Sequence, residues 1–248
     1  MRIRNLLVAL CSAAICVAAV SSSFAQSDAE FAKANQLYSQ GDYKQAIDNY
    51  LKLVRTGEWS PALFYDLGNA YFRAKDFGRA VLNYKRALAL DRHHPESAAN
   101  LRIARDETRA LEMQPSWLTR HLQFVSLNQC SIAAAAAFWA GIFCIAGLVF
   151  ARRRSTGAIM LSTLSFAFLA VALFAAYKID NESKGLGIVT GKDVTARLAT
   201  ADNASTVLVL PAGSEIKILS IRGDWTYAAL PNDQRGWIRS KDAESVRL

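Results

Sequence analysis

Two long runs without a charged residue dominate the hydrophobic pattern of this 248-residue chain. They cover residues 132–151 and 155–177, and three arginines separate them. Each run has the roughly 20 apolar residues that a helix needs to cross the hydrocarbon core of a bilayer. Because only a helix satisfies its own backbone hydrogen bonds in lipid, we expect two spanning helices joined by a tight turn. A buried hairpin in a soluble core is the less favoured alternative, since core helices do not need uncharged runs of this length.

The three arginines between the runs, Arg152, Arg153 and Arg154, predict how this hairpin is oriented. An arginine at the centre of a bilayer costs about 2.5–3.5 kcal/mol, and loops rich in Lys and Arg remain on the cytoplasmic side. Residues 152–154 are therefore expected to form a cytoplasmic turn. The parts of the chain on either side of the hairpin then both lie on the exported side of the membrane.

The first 25 residues agree with this orientation. Arg2 and Arg4 precede an apolar stretch over residues 6–20, and Ser23 and Ala25 are small residues at the positions that precede a signal-peptide cleavage site. We therefore predict a signal peptide over residues 1–25. An uncleaved N-terminal anchor is the alternative, and it would change the anchoring of the chain but not the side of the membrane.

Charge and cysteine content narrow the possible functions without adding a site. The chain has a net charge of +8, and five of these charges belong to Arg2, Arg4 and the three turn arginines. The basic excess therefore mainly sets the topology, and nucleic acid is not an expected partner. Two of the four cysteines fall in the predicted signal, and Cys130 and Cys144 fall at the first apolar run. No structural disulfide is expected in the exported parts.

Residues 27–94 repeat with a period of 34. The recurring pairs are Asn35/Asn69, Asp42/Asp76, Tyr43/Phe77, Ala46/Ala80, Asn49/Asn83 and Tyr50/Tyr84. With Leu67 and Gly68 followed by Tyr71, this pattern resembles the tetratricopeptide repeat, a helical hairpin of 34 residues. The resemblance implies two α-hairpins, over residues 27–60 and 61–94. Small residues such as Gly68 are expected where the two helices of a hairpin approach closely.

The residues after the second repeat continue the helical pattern. Pro95 suits a first helical turn, and apolar residues recur at helical spacing after it. We predict a capping helix over residues 95–113, which completes a tetratricopeptide domain of residues 26–113. Residues 114–131 form a juxtamembrane segment. It is either a short helix with Trp117 at headgroup depth or a continuation of the capping helix.

In the tetratricopeptide family, the first helix of each hairpin lines a concave groove that binds partner proteins. Positions 5, 9 and 12 of the 34-residue unit point into this groove. The resemblance therefore assigns a partner-binding groove, with one neighbouring arginine, to Phe31, Asn35, Tyr38, Tyr65, Asn69, Phe72 and Arg73. Aromatic area beside amide groups suits the backbone of a bound segment. The alternative is that both asparagines support the neighbouring helix.

After the second apolar run, short β-branched stretches alternate with turns. Three turn signals stand at residues 211–213, 222–224 and 231–233, and they predict short strands spaced as in a small barrel. The motifs that carry the resemblance are Val194-Thr195-Ala196-Arg197, Leu210-Pro211-Ala212-Gly213-Ser214, Gly223-Asp224-Trp225 and Gly236-Trp237-Ile238. Their order resembles a bacterial SH3-like domain, here over residues 186–246. Trp225 and Trp237 are candidates for ligand contact at its surface, and a structural role in a small core is the alternative.

The sequence shows no constellation typical of catalysis or metal binding. Its histidines are His93, His94 and His121, and no Cys, Asp or Glu stands at a metal-ligand spacing from them. A phosphate-binding loop and a nucleophile motif are absent from the sequence as well. We therefore expect a protein that is not an enzyme and needs no cofactor or metal ion.

The order of segments predicts a multi-domain α + β fold with tetratricopeptide hairpins, a two-helix transmembrane hairpin and a small SH3-like β-barrel. This order resembles the E-type proteins of the Bat aerotolerance operon, which are membrane-tethered scaffolds. The resemblance implies an adaptor in an aerotolerance or envelope-stress complex, with Bat-type membrane proteins among its partners. It also implies a bacterial inner membrane, with both soluble domains in the periplasm and the arginine turn in the cytoplasm. The alternative is a peptidoglycan-binding module, in which the SH3-like domain contacts the cell wall and the repeats recruit a wall enzyme.

Overall fold

The computed structural model describes residues 28–114, 127–150 and 156–247. The predicted signal at 1–25, the arginine turn at 152–154 and most of the juxtamembrane segment at 114–131 lie outside these residues. The chain divides into two compact units. One combines the described residues up to Glu112 with Gly187–Val246, and the other contains the described residues between Met113 and Leu186. The repeats and the C-terminal strands therefore belong to the same unit.

Among the described residues, five helices form the N-terminal part of the first unit. They are α1 over 28–39, α2 (Tyr43–Thr56), α3 (Pro61–Arg73), α4 (Phe77–Leu90) and α5 (Pro95–Thr108). Side chains at the N-caps define three of the helix starts, because Asp42, Ser60 and Asp76 each accept a hydrogen bond from the backbone N–H three residues later. From α2 to α5, consecutive helices pack against each other, and Asn35 of α1 is hydrogen-bonded to Tyr50 of α2. This packing gives the helical hairpins that the 34-residue period predicts.

The last helix of this series covers the apolar face of the second hairpin and ends earlier than expected. Leu101 and Ala104 of α5 are buried. The helix ends at Thr108 because Arg109 adopts the left-handed conformation, with φ of 56°. The capping helix predicted to reach residue 113 is therefore shorter. The residues that follow it leave the helical path and meet the C-terminal strands, where the Glu215 N–H donates to the Leu111 carbonyl at 2.8 Å.

Seven short strands form the C-terminal part of this unit. They are β1 (Leu186–Val189), β2 (Val194–Arg197), β3 (Thr206–Leu210), β4 (Glu215–Arg222), β5 (Trp225–Ala229), β6 (Arg235–Arg239) and β7 (Ala243–Ser245). They lie in one sheet in the order β3-β2-β6-β5-β4-β1-β7. The side chains of its core are Val189, Val194, Ala196, Leu210, Ile216, Ala228, Leu230 and Ile238.

The expected closed barrel is wrong. Among the described strands, β3 and β7 stand at the two ends of the order and do not pair with each other, so the sheet is open. The repeats contact the β1–β7 side of the sheet: the Arg86 guanidinium donates to the Ser245 carbonyl at 2.9 Å, and Gly78 lies against the backbone of Thr190. Leu111 packs against the sheet core. Because the helical repeats cover the β1–β7 side of the sheet, its edge does not need to be protected by pairing with another strand.

The second unit contains two long apolar helices, α6 (Leu127–Phe150) and α7 (Thr156–Ser183). Each includes a 23-residue stretch that is long and apolar enough to cross a membrane, Asn128–Phe150 and Thr156–Lys178. These stretches correspond to the predicted spans at 132–151 and 155–177. The two helices pack closely, since a Cβ on Gly141 would lie 2.9 Å from the Phe166 ring.

Candidate functional site

The helical part of the first unit contains a cavity of about 330 Å³, which we call the groove. Its lining comes from four helices, α1, α3, α4 and α5. The lining residues are Tyr38, Tyr65, Asn69, Phe72, Arg73, Tyr84, Asn100 and Ile103. Five of the seven residues assigned from the sequence therefore meet in one place. The other two, Phe31 and Asn35, lie one repeat earlier and do not line this cavity.

Asn69 holds the helices around the groove together. Its side-chain oxygen accepts one hydrogen bond from the Tyr84 hydroxyl at 2.8 Å and another from the Asn100 amide at 2.9 Å. Both lone pairs of that oxygen are thereby used. The same contact recurs one repeat earlier, where the Asn35 oxygen accepts from the Tyr50 hydroxyl at 2.6 Å. Each of these asparagines therefore contacts the neighbouring helix directly.

Aromatic rings form much of the groove wall. Tyr65 lies 6.2 Å from the Tyr84 ring and 5.3 Å from the His94 ring, measured between centroids. Phe72 packs edge-on against Phe77 at 5.3 Å. The first repeat has the corresponding packing, with Phe31 at 5.9 Å from Tyr50 and Tyr38 at 5.4 Å from Tyr43. Rings held in this way offer rigid apolar area at low cost in conformational entropy.

Arg73 gives the groove its positive charge. A hydrogen bond with the Tyr38 side chain raises the pKa of the Arg73 guanidinium further above its usual range. The guanidinium therefore stays charged at every physiological pH. Arg73 is exposed to solvent, so a bound segment can reach its donors.

Burial keeps the tyrosines behind the groove neutral. It raises the pKa of Tyr84 and of Tyr50 well above the usual range. Their hydroxyls therefore remain hydrogen-bond donors to the asparagines. Burial also raises the pKa of the Asp66 carboxyl to about 6, while the nearby His94 acts in the opposite direction. The second repeat thus contains one acid that titrates near neutral pH.

The helical segment matches known protein families. Residues 34–75 match the family described as TPR repeat, and residues 61–94 match the family described as tetratricopeptide repeat. Residues 34–94 are tetratricopeptide repeats. RNA polymerase II-associated protein 3 from Homo sapiens is 32% identical over 95 residues, which is 34% of this chain and 14% of that protein. The protein of the same name from Mus musculus is 34% identical over 108 residues, 39% of this chain and 16% of that protein. The chain therefore covers only a small part of these relatives.

Sequence reasoning missed three lining residues, Tyr84, Asn100 and Ile103. Tyr84 was placed in the repeat pattern but not in the groove. The other two belong to α5, which was expected to act only as a cap. The tetratricopeptide count would have identified Ile103 if it had been continued from Pro95 into a third unit, because Ile103 then takes the ninth position. Asn100 takes the sixth position, which is not one of the three groove positions, so the same count does not identify it.

The described residues contain no group of three or more His, Cys, Asp or Glu side chains that could hold a metal ion. His94 has a structural role at the start of α5, where its Nδ1 accepts a hydrogen bond from the Ser97 N–H at 3.2 Å. His121 lies outside the described residues. Cys130 and Cys144 are free thiols on α6.

The two tryptophans of the sheet differ in their surroundings. Trp225 is buried, and the Arg239 guanidinium stacks over its ring at 4.1 Å. Trp237 is only partly buried and packs against Tyr227, with 4.8 Å between ring centroids. The Arg222 guanidinium lies 5.6 Å from the Trp237 ring. Trp237 is therefore the more accessible of the two candidates for ligand contact.

Proposed function

We propose that this protein is a membrane-anchored, non-catalytic adaptor whose tetratricopeptide groove binds a segment of a protein partner. The observation that carries the proposal is the groove itself, which joins aromatic walls to the charged Arg73. Tetratricopeptide repeats are protein-interaction elements, and their presence supports a scaffold. The bound segment is extended or helical, and its carbonyl or carboxylate oxygens meet the donors of the groove.

The interaction test changes the open side of the groove and leaves the Asn69 contacts intact. We expect the double variant Tyr38→Ala/Arg73→Ala to lower the affinity for the partner about tenfold, because few anchors carry most of the binding energy. Arg55→Ala is the matched control, since Arg55 is exposed on α2 and does not line the groove. The partner is first identified by photocrosslinking in cells from a reactive amino acid at Phe72. Equal affinities of the double variant and the control would refute binding in the groove.

We also propose that α6 and α7 form a transmembrane hairpin in a bacterial inner membrane, with the arginine turn in the cytoplasm. The supporting features are the length and apolar composition of both helices and the three arginines between them. A reporter that is active only in the cytoplasm should work when it is inserted at Arg153 and fail after Leu111 or Leu248. Activity after Leu248 would contradict the hairpin. Neutral residues at 152–154 should give a mixed orientation of α7.

The order of segments supports a placement among the Bat aerotolerance operon proteins of the E type. On this proposal the partners are other Bat-type membrane proteins, and the role is in an aerotolerance or envelope-stress complex. A strain without this protein should then lose growth under oxidative stress. Restoration by the wild-type chain and not by Tyr38→Ala/Arg73→Ala would connect that role to the groove.

A wall-binding module is the second candidate. The packed pair of Tyr227 and Trp237 favours it, because such rings can stack on a sugar. On this proposal the open sheet is an SH3-like domain that contacts peptidoglycan, and the repeats recruit a wall enzyme. Sedimentation of the chain with purified cell wall tests this proposal. The Trp237→Ala variant should no longer sediment with the wall. Retention in the supernatant at all wall concentrations would exclude wall binding.

A further inference from the structure

The pairing of β1 with β4 shows which part of the sheet extends beyond the residue at which the chain enters it from α7. Gly187 of β1 lies against Ile218 of β4, since a Cβ on Gly187 would be 2.9 Å from the Ile218 Cδ1. Two residues later, the Val189 N–H donates to the Ser214 carbonyl at 2.9 Å. The two strands therefore run in opposite directions. The residues of β4 that follow Ile218 extend past the first residue of β1, on the side from which the chain arrives.

The projecting part consists of the end of β4, the turn and the first residue of β5. We call these residues, 219–225, the hairpin tip. It carries two exposed apolar side chains, Leu219 at 43% and Ile221 at 67% exposure. Arg222 pairs in register with Trp225, and Trp225 pairs with Arg239 on the next strand. The acids at this end include Asp224 in the turn and Asp202, which forms an ion pair with Arg239 at 2.5 Å. Exposed apolar residues beside arginine and tryptophan are typical of a membrane interface.

The length of the connection sets how far this end of the sheet can be from a bilayer. The apolar stretch of α7 ends at Lys178, α7 continues to Ser183, and β1 begins at Leu186. The helical part of the connection spans about 8 Å. The last three residues add at most about 10 Å. The start of β1 therefore lies within about 18 Å of the end of the apolar stretch.

The hairpin tip can bridge most of this distance. Four strand residues after Ile218 extend about 13 Å. The headgroup region adds roughly 5–7 Å to each side of the hydrocarbon core. We propose that the hairpin tip is a second membrane contact, with Leu219 and Ile221 inserted among the lipid headgroups and Arg222 at their phosphates. This inference rests on the proposed insertion of α6 and α7, because the short connection then limits the distance between the start of β1 and the bilayer.

The test places one fluorescent label on the full chain and measures its quenching by lipid. Single cysteines carrying an environment-sensitive dye are introduced at Ile221, Leu90 and Phe143, in a chain whose four cysteines are replaced by alanine. Each chain is reconstituted into nanodiscs with lipids that are spin-labelled at the headgroup and in the middle of the acyl chain, so that shallow and deep labels are both quenched. Leu90 is the matched control, because it is half-exposed on α4 of the same unit. Phe143 on α6 reports insertion of the apolar helices.

The inference expects quenching at Phe143 and at Ile221, with the Ile221 label quenched at least about twofold more strongly than the Leu90 label. Quenching at Phe143 with equal values at Ile221 and Leu90 would overturn the inference and leave the membrane hairpin standing. A lack of quenching at Phe143 would refute insertion itself, and the inference with it. Shielding of Ile221 that requires an added protein would overturn it too, because the occupant would then be a protein.

Hydrogen exchange on the unsubstituted chain provides a measurement that needs no variant. The amides of residues 219–225 should exchange more slowly in nanodiscs than in amphipol, which wraps apolar helices without offering a headgroup surface. The amides of α2 serve as the internal reference and should not change. Equal exchange of the hairpin tip in both media would contradict the proposed contact.

Discussion

Glu215 connects the repeats to the sheet, and its replacement by alanine tests how much that connection contributes to stability. The carboxylate lies at the start of β4 and is only 7% exposed. It accepts from Arg105 of α5 at 2.5 Å and pairs with Lys85 of α4 at 2.6 Å. Residues far apart in the chain thus meet in one buried cluster. Glu215→Ala removes the carboxylate that the sheet contributes to this cluster.

The magnitude follows from what the variant leaves behind. Removal of one partner from a buried ion pair costs about 3–5 kcal/mol, because a charge remains buried without compensation. Two features of this cluster favour the lower end of the range. Arg105 keeps a second carboxylate, Glu112, at 2.9 Å, and Lys85 is 24% exposed, so that its ammonium can turn toward water. We therefore expect a loss of about 3 kcal/mol.

Urea unfolding of the full chain in detergent micelles measures this loss, and hydrogen exchange locates it in β4, α4 and α5. The control is Asp202→Ala, which breaks the pair with Arg239 at a carboxylate that is 73% exposed. Such surface pairs contribute about 0–1 kcal/mol. A loss for Glu215→Ala no larger than for Asp202→Ala would refute the reasoning. So would additive losses in the double variant Glu215→Ala/Arg105→Ala, since residues in contact should couple.

Two further predictions concern the second repeat. Gly68→Ala should destabilise the chain by about 1–3 kcal/mol in the same urea assay, because the new Cβ would lie 2.7 Å from the buried Tyr84 ring. The control is Gly147→Ala, whose Cβ meets nothing within 4 Å. An equal effect of the two variants would contradict the packing argument. Burial raises the pKa of Asp66 from 3.8 to about 6, so the folded state binds the proton more tightly than the unfolded state does. The contribution of Asp66 to stability is therefore fully present below the unfolded pKa, and it is lost as the pH rises to about 6. Asp66→Asn should therefore stabilise the chain at pH 7 by about 1 kcal/mol, after allowance for the partial exposure of the carboxyl, and not at pH 3.5; the same gain at both pH values would refute this assignment.

The sequence predicted the features that depend on local pattern. The apolar runs are visible in composition alone, and α6 and α7 contain candidate spans at nearly the predicted residues. The repeats were predicted from the 34-residue period, because each hairpin uses the same contacts at the same positions. The pairing of Tyr50 with Asn35 and of Tyr84 with Asn69 shows this recurrence, as both hydrogen bonds join residues 15 positions apart.

The features that the sequence did not predict depend on contacts between distant segments. Arg105 and Glu215 are 110 positions apart, and no local pattern marks either residue as a partner of the other. The open sheet has the same origin. The strand signals resembled those of a barrel, but closure of a sheet depends on what covers its edges. Here Arg86 of α4 and Leu111 contact the sheet, and both lie in a part of the chain far from the strands.

The same two helices carry both the groove and the contact with the sheet, on different sides. On α4, Tyr84 lines the groove and the next residue, Lys85, binds Glu215; on α5, Asn100 lines the groove and Arg105 binds Glu215. At 3.6 residues per turn, these pairs point about 100° and 140° apart. The hydrogen bonds from Tyr84 and Asn100 to Asn69 involve no residue of the sheet. Glu215→Ala should therefore lower the stability of the chain and leave partner affinity within about twofold of wild type, since sites without shared partners act independently. A tenfold loss of affinity in a chain that is still folded would show that the sheet sets the geometry of the groove.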